Sequence, residues 1–94
     1  MDYINRMGRA SKEFTLTPAL CRAARGLLNW TQEELAARST VSRSTIRDYE
    51  GDRHGLHRST AALLLRALQD GGVVFADIAG HGMGVCAASY KHPD

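Results

Sequence analysis

The sequence predicts a mainly α fold, four short helices followed by a short C-terminal β-hairpin. Three observations carry this. Residues 31–50, TQEELAARSTVSRSTIRDYE, hold two helical patterns with almost nothing between them. Apolar stripes at helical spacing flank that segment on both sides. After Gly71-Gly72 the period changes to β-branched and aromatic runs.

Taken in order, residues 1–15 show no clear period and read as a flexible basic arm carrying Arg6, Arg9 and Lys12. Thr17-Pro18 opens the first helix, since threonine can cap and proline suits a first position whose N–H has no partner. Leu20, Cys21, Ala24, Leu27 and Leu28 follow as one stripe, and Asn29 is the stop. Thr31 with Glu34 forms a capping box, and Trp30 before it can staple onto Leu35. That helix runs to about Arg38. Ser39-Thr40-Val41 is the break. Ser42 caps a third helix, Arg43 to Glu50, with Ile46 and Tyr49 inward and Val41 packed at the turn. A loop through about Arg58 leads to Ser59 or Thr60, either of which can cap a fourth helix with Ala61, Leu64, Leu65 and Leu68 inward. Gly71-Gly72 ends it. VVFADI (73–78) and VCAAS (85–89) read as two strands around an AGHGMG turn.

Composition excludes several function classes. The 94 residues fit one domain, and 44% hydrophobic content supplies a small core. No apolar run approaches the roughly 20 residues of a membrane span. The first twelve residues lack the apolar middle of a secretory signal, so the expectation is a cytoplasmic protein. Cys21 and Cys86 belong to no CxxC pair, and His54, His57, His81 and His92 show no metal spacing with them; no metal or cofactor is expected. There are no paired carboxylates, no nucleophile–base set and no phosphate loop. The run Gly80-His81-Gly82-Met83-Gly84 lies between strands, where a turn accounts for it, so the chain is not expected to be an enzyme. Net charge is only +2. Residues 1–30 carry five bases against two acids, whereas residues 31–58 carry five of each. Any basic face must therefore come from arrangement.

Two helices joined by a three- to four-residue turn project the second helix outward, where it can enter a DNA major groove. That groove is about 12 Å wide and displays donors and acceptors on the base edges. Such a groove explains a third helix clothed in serine, threonine and arginine. Arg43, Ser44, Thr45 and Arg47 are the candidate base contacts, with Arg43 suited to a two-pronged contact on guanine. Thr31, Gln32, Ser42, Arg53 and Arg58 are the candidate phosphate contacts, Gln32 acting together with the free N–H groups of its helix terminus.

The run Gln32-Glu33-Glu34-Leu35-Ala36, then Val41-Ser42, Thr45-Ile46 and Tyr49-Glu50, resembles the Cro/cI-type (lambda-repressor-like, or XRE) helix-turn-helix family. Arg22-Ala23-Ala24-Arg25 and Trp30 resemble its first helix, and the resemblance covers about residues 17–72. It implies a bundle of four or five helices that binds operator DNA as a dimer. It implies Gln32 on phosphate, Ala36 small where two helices cross, Ile46 as the inward anchor, and Arg43, Ser44 and Arg47 toward the groove. Arg25 matches a position that pairs with an acid such as Glu50. The family commonly has glycine at Thr40 and at Asp52, and proline at Leu56.

The expected organisation is an arm over 1–15, a DNA-binding domain over 16–72 with the motif at 31–50 and its recognition helix at 42–50, and a hairpin tail over 73–94. The hairpin invites dimerisation through Val73, Val74, Phe75, Ile78 and Val85. The rival reading is a protein-interaction module, such as an antitoxin or anti-activator, that uses the same fold to bind another protein.

Overall fold

The computed structural model describes residues 15–88. These form helices α1 (Pro18–Leu28), α2 (Gln32–Ser39), α3 (Arg43–Glu50) and α4 (Arg58–Gly71), then strands β1 (Val73–Ile78) and β2 (Gly82–Ala87). The basic arm expected over 1–15 lies, but for Thr15, outside the described residues, as does the end of the tail.

Local chemistry sets the helix boundaries. Thr17 accepts the Leu20 N–H at 3.1 Å and Pro18 takes the first position of α1. Asn29 ends it in a left-handed conformation (φ 62°), tolerated by asparagine because its short polar side chain can bond locally. The Asn29 and Trp30 N–H groups then return to the Gly26 and Arg25 carbonyls, a Schellman pair. Thr31 caps α2 by accepting the Glu34 N–H at 3.0 Å. Only half of the capping box forms, because the Glu34 carboxylate turns forward to Arg38 Nε at 2.8 Å.

The turn between α2 and α3 does hold Thr40 left-handed, at φ 66° and ψ 12°. Its backbone groups are accounted for: the Thr40 N–H reaches the Ala36 carbonyl at 2.9 Å, and the Val41 N–H reaches Ser39 Oγ at 3.1 Å. The Thr40 hydroxyl donates to the Ser39 carbonyl. After α3, Asp52 is left-handed (φ 63°), with the Asp52 and Arg53 N–H groups closing on the Tyr49 and Asp48 carbonyls.

Besides the half-formed capping box, three sequence expectations need correction. Helix α4 begins at Arg58, with His57 as its cap and no side-chain cap bond; Ser59 and Thr60 are already helical. Leu27, expected on the apolar stripe, is 46% exposed, because α1 presents Cys21 and Ala24 squarely to the core and Leu27 falls on the rim. Strand β2 starts at Gly82, not Val85, because the loop needs only residues 79–81, with Gly80 and Gly82 at positive φ.

Leu35, Ile46, Leu64, Leu68 and Cys21 are the largest fully buried side chains among the described residues, with Ala24, Val41, Tyr49, Ala67 and Val73 packed among them. Each helix thus contributes a short apolar edge to a shared core. Trp30 packs against this core, and a Cβ added at Gly71 would lie 2.4 Å from its ring, so the close approach of α4 requires glycine there. The hairpin pairs antiparallel, Val73 opposite Ala87 through Ile78 opposite Gly82. It rests chiefly on α1, with Val73, Phe75 and Val85 turned toward the helices. The helices supply the support that an isolated two-stranded hairpin lacks in water.

Candidate nucleic-acid interface

Helix α3 is divided by its two sides. Ile46, Tyr49 and Glu50 are buried, while Arg43, Ser44 and Arg47 are exposed. The Tyr49 hydroxyl donates to the Leu16 carbonyl at 3.0 Å, tying α3 to the chain that enters α1. Burial, its largest cause, pushes the Tyr49 phenol up to about 12, so it stays a neutral donor.

Glu50 is the most heavily bonded side chain of the motif. Its carboxylate accepts Arg25 Nε at 2.9 Å and Arg25 Nη2 at 2.7 Å, Gln32 Nε2 at 3.0 Å, and the Cys21 thiol at 3.2 Å. Arg22 Nη1 donates to the Glu50 backbone carbonyl at 2.5 Å, and Arg25 Nη1 donates to the Trp30 carbonyl at 2.9 Å. Burial alone pushes the Glu50 carboxyl up, but the bonds from Arg25, Gln32 and Cys21 and the Arg25 charge outweigh it. The group titrates below its ordinary value. The same bond holds the Arg25 guanidinium above its ordinary value. Burial, reinforced by Glu50, raises the Cys21 thiol far above its ordinary value, so Cys21 remains a thiol.

The Ser42 hydroxyl caps α3 by accepting the Thr45 N–H at 3.2 Å and lies 2.8 Å from Thr45 Oγ1 and 3.3 Å from Ser44 Oγ. Thr45 is half-buried within this cluster, whereas Arg43 is unencumbered at the start of the helix. Arg47 Nε lies 3.4 Å from Asp48 and Arg53 Nη1 3.9 Å from the same carboxylate, both exposed contacts that water readily exchanges. Thr31, Gln32 and Arg43 are brought together around an open groove that Arg25 and Glu33 complete. Arg53 and Arg58 are exposed outside it, flanking the loop before α4.

This helix–turn–helix geometry, with its capped second helix, agrees with a helix-turn-helix family model of the XRE/Cro-cI type, which matches residues 22–69. The chain belongs to this family. A comparison with curated proteins gives no match. The helix-turn-helix family is one of DNA-binding regulators, and no helix among the described residues is long and apolar enough to cross a membrane.

Sequence reasoning paired Arg25 with Glu50 only through the resemblance and missed Gln32 and Cys21 as further partners of that carboxylate. A signal existed. Glu50 stands one helical turn after the inward Ile46 and beside the inward Tyr49, so it continues the buried edge of α3 and must find donors there.

Proposed function

We propose that this helix-turn-helix protein is a sequence-specific transcriptional regulator, acting as a repressor, that binds operator DNA as a homodimer with α3 in the major groove. The observation that carries the reading is the division of α3. Its inner residues hold it to the core, and Arg43, Ser44 and Arg47 stand exposed with no part in that core. Arg43 and Arg47 are one turn apart and share a face, the spacing for adjacent contacts along a groove. Ser44 and, with its more covered hydroxyl, Thr45 complete the readout. Thr31, Gln32 and Ser42 meet phosphates at the two helix starts, and Arg53 and Arg58 extend this contact along the backbone.

The second copy docks through the outer face of the hairpin. Val74 and Ile78 are exposed there at 45% and 51%, and Ile78 lies over Gly84. Val73, Phe75 and Val85 hold the hairpin to its own helices and brace that face from behind. A twofold dimer then reads two half-sites about 34 Å apart.

Selection of bound duplexes from a random library tests this. The reading expects one enriched half-site repeated as an inverted pair at a fixed spacing. No enrichment near about 100 mM salt, where phosphate contacts still hold a DNA-binding domain, together with capture of a specific protein, favours the antitoxin or anti-activator class instead.

A further inference from the structure

We propose that Glu50 is a positioning residue for DNA contact. Through Oε1 it fixes the side-chain amide of Gln32, so that one Nε2 hydrogen is presented to a DNA phosphate at the mouth of the groove lined by Thr31, Gln32, Glu33 and Arg43. The inference rests on the DNA-binding reading and deepens it.

The chemistry of the amide fixes its orientation. An ionised carboxylate only accepts, so the 3.0 Å contact with Glu50 Oε1 must come from Nε2 and not from the Gln32 carbonyl oxygen. Nε2 has two hydrogens. Glu50 takes one and leaves the other free. Gln32 is the first residue of α2, directly after its cap. Thr31 Oγ1 takes the Glu34 N–H, and the first helical bond is Leu35 to the Thr31 carbonyl. The backbone donors of Gln32 and Glu33 therefore precede the ladder, at the same end as the free amide hydrogen. Arg43 lines the same groove and adds positive charge. A phosphate oxygen, an acceptor without hydrogens to offer, matches this donor set.

The anchor is rigid. Glu50 is 4% exposed and is itself gripped by Arg25 twice and by the Cys21 thiol. A surface glutamine without such an anchor must lose rotamer freedom when it binds; here that loss is complete before DNA arrives.

The test is a cycle of DNA affinities for wild type, Gln32→Met, Glu50→Gln and the double variant. They are measured on the selected duplex at a temperature where circular dichroism shows every variant folded. Gln32→Met keeps the length and removes the amide. The expected loss is roughly tenfold for Gln32→Met, the scale of a hydrogen bond to a charged partner, with an unchanged salt slope because a neutral amide displaces no counterion. Glu50→Gln is expected to weaken binding more in the Gln32 background than in the Gln32→Met background, where only its effect through the Arg25 pair remains. Equal losses from Glu50→Gln in both backgrounds, or wild-type affinity in Gln32→Met, overturn the positioning role.

Should Glu50→Gln fail to fold, wild-type side-chain amide resonances decide. On adding the duplex, one Gln32 Nε2 proton shifts while the one held by Glu50 stays in place and exchanges slowly. Equal shifts of both, or of neither, overturn the proposal. A wild-type chain that binds no duplex overturns the functional reading itself; binding combined with the contrary results above removes the positioning role alone.

Discussion

Arg25 and Glu50, on α1 and α3, are joined twice, by Nε to Oε2 at 2.9 Å and Nη2 to Oε1 at 2.7 Å. The paired side chains are only 19% and 3% exposed. Planar guanidinium and planar carboxylate meet edge to edge, which sets orientation as well as distance. This pair ties α3 to the scaffold behind it.

Removing one member leaves the other charge buried without compensation. Arg25→Ala is expected to cost about 3–5 kcal/mol in urea unfolding, the range for a broken buried pair. The exposed i,i+4 pair of Arg38 with Glu34 offers the contrast. Arg38→Ala is expected to cost about 1 kcal/mol at most from the ion pair and the stacking of Arg38 over Trp30, 4.4 Å from the ring centroid. Similar losses from the two substitutions contradict the assignment.

Because the folded state lowers the Glu50 pKa, it favours the carboxylate. That contribution is complete above the unfolded value of about 4.3 and is lost as pH falls through the lower folded value. Urea midpoints of the wild type therefore drop as pH falls below about 4.3, and those of Glu50→Gln, already lower at neutral pH, drop less steeply over the same interval. Parallel profiles for the two proteins run against this.

Thr40 is a β-branched residue at φ 66°. Left-handed backbone costs an ordinary residue about 1–2 kcal/mol, and glycine escapes most of it while surrendering some unfolded-state entropy. Thr40→Gly is expected to raise stability by about 0.5–1 kcal/mol, read as a higher thermal midpoint. A lower midpoint means that the hydroxyl bond to the Ser39 carbonyl outweighs the strain.

Gly71 faces the opposite constraint. An added Cβ would lie 2.4 and 2.6 Å from the Trp30 ring and 3.1 Å from Leu28. Although alanine normally favours a helix, Gly71→Ala is expected to destabilise by about 1–3 kcal/mol through overpacking. Tryptophan fluorescence should report the displaced ring.

The two cysteines separate cleanly. Cys86 is exposed, whereas Cys21 is fully buried and held as a thiol by burial and by Glu50. A thiol reagent should modify Cys86 at once and Cys21 only on unfolding, giving two phases whose slower rate falls with added structure-stabilising salt. Rapid modification of both in the native protein removes the buried Cys21–Glu50 contact.

The helix starts at Thr17, Thr31 and Ser42 were readable because a side-chain cap acts over three or four residues. So were the strained positions Thr40 and Asp52, through the resemblance to a family that prefers glycine there. The start of α4 was not, because two capping residues, Ser59 and Thr60, stand within the first turn of a helix whose actual cap is His57 and uses no side chain. Leu27 was misread because a stripe drawn at helical spacing does not reveal how wide a face the core covers. Among the candidate site residues, their types and exposed side of α3 were foreseeable. The bonds from Gln32 to Glu50 and from Tyr49 to Leu16 span 18 and 33 positions, and no local pattern encodes them.

The outward face of α3 as a DNA-reading surface is the central claim. Its most direct test is equilibrium binding to the selected duplex across a salt series, for the wild type and for Arg43→Ala and Arg47→Ala. The prediction is a steep fall in affinity with salt for the wild type, and a loss of about 1–3 kcal/mol for Arg43→Ala that shrinks on a duplex altered at the matching base pair. Wild-type affinity in both variants, or wild-type binding indifferent to salt and sequence, contradicts it.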